Sequence, residues 1–233
     1  MPDLTPDLTP GRARALGALY AALGAASSVS AAKGLRAGEL AAKPLLMPAL
    51  AAYTLAAGRG RPELRLPVAG MVLSGLGDAA LLGPGAWFLP GMGFFAAAHA
   101  CYIAALARDG AARGVRPLAA AAYAALWAAL LAALWRRLGN LRGPVAAYSL
   151  ALFTMAVLAS ARNRPAAAGG ALFVASDALI ACGLAGAAAH PRQDAAVMPS
   201  YAAAQFLLAA GWLRPQRETP ERPGTPGTGR TSG

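Results

Sequence analysis

Residues 66–107 read LPVAGMVLSGLGDAALLGPGAWFLPGMGFFAAAHACYIAALA and are bounded by Arg65 and Arg108. Inside that run stand one charged side chain, Asp78, and one histidine, His99. A Gly-Pro-Gly break at 83–85 divides it, as turn residues do. The two parts, 66–83 and 86–107, are each long enough to cross the ~30 Å hydrocarbon layer of a bilayer as a helix. The same alternation continues outward in both directions. Short polar clusters separate further apolar stretches at 13–33, 38–57, 115–135, 143–161, 165–189 and 196–213. The reading is an all-α membrane protein of eight transmembrane helices.

Composition agrees. The chain is 57% hydrophobic and 13% charged, where a soluble domain carries roughly 25% charged residues. Alternating strands are absent, which argues against a membrane β-barrel. The Ala-rich spans 115–135 and 165–189 are expected inside the bundle, where small residues let helix backbones approach. The transmembrane domain is 13–213. Residues 1–12 and 214–233, rich in Pro, Thr and Gly, are expected to be a disordered arm and tail. Few positive charges and no clear cleavage site precede and follow the first span, so it is expected to be a retained helix rather than a signal peptide.

The net charge is +11, but its distribution argues for membrane lipids rather than nucleic acid as the partner. The N-terminal arm, the 2–3, 4–5 and 6–7 loops and the tail carry 14 Lys and Arg, against 6 in the opposite loops. This asymmetry is the positive-inside pattern and places both termini in the cytoplasm, with the basic loops against anionic headgroups. Nineteen of the 21 bases are Arg, which suggests a high-GC bacterial source and an inner membrane location. Cys101 and Cys182 fall inside spans and read as buried apolar residues. Trp87, Trp127, Trp135 and Trp212 lie near span ends and read as an interfacial belt.

An internal repeat is visible. With Asp78 aligned on Asp177, an offset of 99, Gly70 falls on Gly169, Leu73 on Leu172 and Tyr102 on Tyr201; at an offset of 100, Pro44 falls on Pro144. The segment GMVLSGLGDAALL answers to GALFVASDALIA. Two four-helix halves, 1–110 and 115–213, follow. Halves with an even number of spans repeat in the same orientation, bringing Asp78 and Asp177 to equivalent positions near the axis between them.

Polar groups deep in a bilayer are costly and are kept where they have a partner or a function. Away from span ends the candidates are Lys43, Asp78, His99 and Asp177, accompanied by Tyr102, Tyr148, Tyr201 and Gln205. With the N-terminus inside, all fall at or just outside the mid-plane, so several helices can aim them at one polar cavity. Two aspartates and one lysine leave an acid over, which favours a site above a simple ion pair. His99 and Tyr102, three apart, share a helix face. No GxSxG elbow, P-loop, HExxH or CxxC is present, so none of the usual hydrolase, nucleotide, zinc-protease or redox motifs applies. No metal or cofactor is expected.

The motifs AKPLLMP (42–48), SGLGDAALL (74–82), FFAAAHACY (94–102), ALFVASDALIA (171–181) and YAAAQ (201–205) together resemble the YhhN/lysoplasmalogenase-like membrane family, over residues ~15–213. The resemblance implies eight transmembrane helices. It also implies hydrolysis of the vinyl ether bond of a lysoplasmalogen to a fatty aldehyde and a glycerophospho-alcohol. Lys43 matches the family lysine, Asp78 and Asp177 the paired aspartates, His99 with Tyr102 the H-x-x-Y motif, and Tyr201 with Gln205 the last motif. The substrate partner implied is a lyso-ether phospholipid. Vinyl ether hydrolysis needs an acid to protonate carbon and an anion to stabilise the resulting cation. Two carboxyl groups divide such work in glycosidases, whose transition state is also oxocarbenium-like. Asp78 and Asp177 are the candidates. Lys43 would then fix the anion or bind phosphate, and His99 and the tyrosines would place water and headgroup. The rival expectation is a proton-coupled transporter of a small solute or lipid, in which the same groups relay protons.

Overall fold

The protein is described by a computed structural model, and the described residues are 9–186 and 192–214. Eight helices follow one another: α1 (Thr9–Lys33), α2 (Arg36–Ala57), α3 (Arg65–Leu81), α4 (Phe88–Arg108), α5 (Pro117–Leu134), α6 (Arg142–Arg162), α7 (Arg164–Leu184) and α8 (Arg192–Leu213). Each is long and apolar enough to cross a membrane, and the described residues contain no strand. The chain is an integral membrane protein, and the even number of helices puts the start of α1 and the end of α8 at the same end of the bundle. The expected arm and tail fall largely on residues 1–8 and 215–233, which lie outside the described residues. Helix α1 already begins at Thr9, within the expected arm. Helix α7 stops at Leu184, short of the expected 189.

Local chemistry explains where the helices stop. Between α6 and α7 a single residue, Asn163, is extended at φ −162°, and its Oδ1 accepts from the Ala166 amide at 3.1 Å. Pro165 stands in the first turn behind it, where a missing N–H costs nothing. Gly110 ends α4 in the left-handed region at φ +78°, a conformation glycine takes without steric cost. Pro44 and Pro48 lie inside α2 and Pro199 inside α8. Each removes an N–H from the helical ladder and loosens the turns that carry Lys43 and Tyr201.

The helices close into a ring in which α1 packs on α2, α2 on α3, α3 on α4, α4 on α6, α6 on α7, α7 on α8 and α8 on α1. Helix α8 also reaches α2 and α3 across the middle. Without a hydrophobic drive between helices in lipid, such contacts depend on close van der Waals fit. The α7–α8 contact shows how close. A Cβ on Gly169 would stand 2.8 Å from the Leu208 amide nitrogen and 2.9 Å from the Ala204 carbonyl oxygen, both backbone atoms. One on Gly211 would stand 2.7 Å from the Ala166 Cβ. Gly169→Ala is therefore expected to destabilise the bundle by about 1–3 kcal/mol, read as a lowered unfolding temperature in detergent. Gly143→Ala, with open space around it, serves as the unaffected control.

Helix α5 departs from expectation. It was expected inside the bundle, yet only 6% of its span is buried, the least of the eight. It packs against α6 and slightly against α7. The physical reason is plain afterwards: it is the most apolar helix and carries no charged side chain, so lipid is its natural surrounding. The hairpins α3–α4 and α7–α8 are both tightly packed, whereas α1 packs closely on α2 and its counterpart α5 only lightly on α6. Helix α5 also does not close on α4 as α1 closes on α8, and α4 packs on α6 more closely than α8 does on α2. Trp212 also departs from expectation. It is buried, with its ring centroid 5.0 Å from that of Tyr102, and so is a core residue rather than a belt residue. Trp127 is half-buried and donates to Ser149 Oγ at 3.0 Å, whereas Trp87 and Trp135 are exposed. Cys101 and Cys182 are free and half-buried rather than buried.

At the end of the bundle where α4, α6 and α8 finish, a polar knot joins four helices. Arg162, buried at the end of α6, pairs with Asp109 just past α4. Its Nε donates to the Gly211 carbonyl of α8 at 3.2 Å, and Asn163 Nδ2 donates to that same oxygen at 2.9 Å. In the sequence Arg162 stands among the basic residues of the 6–7 loop, and nothing there marks Asp109 as its partner.

Candidate functional site

At the other end of the bundle, six helices surround a cavity of about 110 Å³. Its polar lining is Lys43 from α2, Asp78 from α3, Tyr148 from α6, Ser176 and Asp177 from α7, and Tyr201 from α8. Helix α4 closes it with apolar side chains, among them Phe88, Met92 and Phe95. The space suffices for several water molecules. Helical spacing explains the placement. Asp78 lies one turn from the end of α3 and Lys43 two turns into α2, so antiparallel neighbours bring the two to one level.

Asp78 is buried, with Lys43 Nζ 3.6 Å from its Oδ1 and the Tyr201 hydroxyl donating to its Oδ2 at 2.7 Å. Asp177 accepts a hydrogen bond from the Tyr148 hydroxyl. Both carboxyl groups line the one cavity, but their companions differ: a cation and a phenol for Asp78, a phenol for Asp177. Tyr148 and Tyr201 thus point inward onto carboxylates instead of outward to the membrane interface.

The remaining candidates stand behind the cavity wall. Tyr102, fully buried, donates to Gln205 Oε1 at 2.9 Å. Gln205 Nε2 in turn donates to Ser74 Oγ at 3.1 Å and approaches the Tyr201 hydroxyl at 3.5 Å. The amide is the junction of α3, α4 and α8, and it steadies the tyrosine that holds Asp78. His99 is fully buried and its Nδ1 lies 2.7 Å from the Phe95 carbonyl oxygen. A carbonyl only accepts, so Nδ1 carries the hydrogen. Nε2 has no hydrogen-bond partner among the described residues. The ring stands edge-on to Phe173 at 4.9 Å, Tyr148 at 5.5 Å and Tyr102 at 6.3 Å between centroids. His99, Tyr102 and Gln205 are not among the residues that line the cavity. Instead they form its backing, because α4 presents Phe95 to the cavity and turns His99 and Tyr102 toward α6, α7 and α8.

Two serines also take part in this region. Ser74 takes the Gln205 amide, and Ser176 donates to the Val197 carbonyl at 3.2 Å. Their signal was position alone, one turn before Asp78 and one residue before Asp177. Neither serine pairs with His99, so no nucleophile–base couple is formed by these groups. Among the described residues no three His, Cys, Asp or Glu side chains gather as a metal site would require.

The chain matches the YhhN family model over residues 38–212. Proteins named lysoplasmalogenase from Mycobacterium bovis and Mycobacterium tuberculosis are each 35% identical to it over 211 residues, covering 81% of this chain and 78% of theirs. The human protein named lysoplasmalogenase TMEM86B is 34% identical over 148 residues, 62% of each chain. No solved structure matches. The matched region takes in all eight candidate residues, Lys43 through Gln205, and the chain belongs to the YhhN family.

Proposed function

We propose that the protein is a membrane-embedded hydrolase that cleaves the vinyl ether bond of a lysoplasmalogen-like lyso-ether lipid, using Asp78 and Asp177 as its acid/base pair. One observation carries the reading: two carboxyl groups from separate parts of the bundle line one sheltered cavity, each in a different electrostatic setting. The name shared by the mycobacterial and human relatives supports the substrate class.

The chemistry divides as follows. Protonation of the β-carbon of R–CH=CH–O–R′ gives the oxocarbenium ion R–CH₂–CH=O⁺–R′. Water adds to the carbon bearing oxygen and loses a proton, and the hemiacetal collapses to R–CH₂–CHO and HO–R′. One water is consumed and the catalytic proton is returned. Asp177, with a phenol and no cation beside it among the described residues, suits the acid. Asp78, facing Lys43 at 3.6 Å, suits the anion that steadies the oxocarbenium ion and draws the proton from water. Lys43 stands where it can also meet the lipid phosphate. Tyr148 orients Asp177, and Tyr201, braced by Gln205 and Tyr102, orients Asp78.

Tyr148→Phe is expected to lower kcat about tenfold to a hundredfold, the worth of one hydrogen bond to an ionisable group, with little change in KM. Steady-state aldehyde release checks it. The location proposed is a bacterial inner membrane with both chain ends in the cytoplasm, supported by the 14-to-6 division of basic residues. Purified protein in vesicles distinguishes the hydrolase from a carrier. A hydrolase yields trapped aldehyde and glycerophospho-alcohol from lysoplasmalogen. Transfer of intact lipid or solute across the vesicle wall without product would overturn the reading.

A further inference from the structure

Tyr148 and Asp177 are shared by two spaces. On one side lies the cavity with Lys43 and Asp78. On the other a narrow slot of about 60 Å³ runs between α5, α6 and α7. The slot is apolar apart from Tyr148, Asp177 and Ser149, with Leu130 and Leu131 of α5 as one wall and Phe153 and Val174 as its floor. Phe153 and Val174 are buried, whereas Leu130 and Leu131 are half-buried and α5 is nearly bare of protein cover. Depth matters as well. Val174 lies three residues before Asp177 on α7, about 4.5 Å toward the mid-plane, and Phe153 lies midway along α6. The slot also reaches outward along Leu134, Leu138 and Val145, so its deep end is the part floored by Phe153 and Val174; the cavity with Lys43 extends from Asp177 toward the membrane face through Ile180 and Leu184.

We propose that this slot binds the hydrocarbon chain of the substrate, and that the chain enters sideways beneath α5. The proposal rests on the hydrolase reading above and locates the substrate within it. A single-chain ether lipid has three parts in order: a charged head, a reactive ether, and a tail. The site has three parts in the same order. The cavity that holds Lys43 and Asp78 extends toward the membrane face, Asp177 stands at its junction with the slot, and the slot, which carries no cation, reaches to Phe153 and Val174 near the mid-plane, the direction in which lipid tails lie. Charge decides the orientation, since a phosphate in the slot would meet no cation and a carboxyl group at its mouth. The closed part of the slot is too small for a whole chain, so the remainder lies along the loosely packed α5, where its natural surroundings are lipid. This gives the outlying position of α5 a use that the repeat does not explain.

The test uses a lyso-alkyl-ether phospholipid carrying a diazirine in the middle of its chain, which binds but has no vinyl ether to cleave. It is photolysed on the full-length protein in nanodiscs, and the labelled peptides are mapped by mass spectrometry. Label on Phe153 and Val174, which bulk lipid does not reach, suppressed by excess unlabelled lyso-ether lipid but not by diacyl lipid, is the expected result. Label centred on Phe88 and Met92, label on outer surfaces only, or label indifferent to the competitor overturns the proposal. Val174→Phe provides a second reading. It should reduce turnover of long-chain relative to short-chain lysoplasmalogen by about tenfold, and an unchanged ratio in the folded variant counts against the slot. Failure here is separable from failure of the hydrolase reading. Aldehyde production without floor labelling sinks the slot alone, while competitive floor labelling without aldehyde supports a chain site on a protein that is not this hydrolase.

Discussion

Asp177→Asn is expected to lower aldehyde release from lysoplasmalogen by about 10²–10⁴-fold, the range for losing a positioned acid or base. The substitution is nearly isosteric. Its amide oxygen can still accept from Tyr148, so the bundle and the cavity should persist while the transferable proton is lost. Asp78→Asn is expected to fall by a similar factor for a different reason. The carboxylate facing the developing cation becomes neutral, and Lys43 loses the charge 3.6 Å away. Because the two groups serve one reaction, the double variant should be little worse than either single one. Product quantification by mass spectrometry, alongside detergent-phase elution and unfolding profiles, separates lost chemistry from lost folding. Undiminished turnover in either folded single variant contradicts the paired roles.

The largest expected effect on stability lies at the opposite end. Arg162→Met removes the cation that faces Asp109 and the donor to the Gly211 carbonyl. Breaking a buried ion pair from one side costs about 3–5 kcal/mol. The lower end applies here, because the Asp109 side chain is a quarter exposed and water relieves part of the loss. A fall of about 3 kcal/mol in unfolding free energy is expected from denaturant titration in mixed micelles, with kcat of the folded fraction unchanged. The two results together would show that one end of the bundle holds the helices in place while the other performs the chemistry. Unaltered stability would mean that the knot at Arg162 contributes no more than a surface pair.

Much of this was legible in the sequence because a bilayer imposes a simple rule. The stretch 66–107 announces two crossings by its lack of charge, and the one carboxylate within it stands out for the same reason. The repeat linked Asp78 to Asp177 before any helix was placed, and both line one cavity. Depth along a helix is also readable, so Lys43, Tyr148 and Tyr201 could be assigned to one slab of the membrane. Rotation about the helix axis was harder to read. His99 and Tyr102 share a level with the cavity but point behind it, since α4 offers Phe95 there, and three apolar faces of that helix look alike in sequence. Packing order is likewise invisible where a helix is uniformly apolar. An Ala-rich span suits the interior or the lipid equally well, and α5 went to the lipid because nothing on it needs a partner. Arg162 and Asp109 were hidden by position: charges at span ends read as loop charges until neighbouring helices are seen to cover them.

The most direct measurement is product analysis after reaction in D₂O. Lysoplasmalogen is incubated with the purified protein, and the aldehyde is reduced at once by borohydride to prevent later exchange. If a carboxyl group delivers a proton to the β-carbon, the recovered alcohol carries one deuterium at the carbon next to the former aldehyde carbon. An enzyme-dependent product without that deuterium, or a fatty acid in its place, would contradict acid-catalysed opening of the vinyl ether between Asp78 and Asp177.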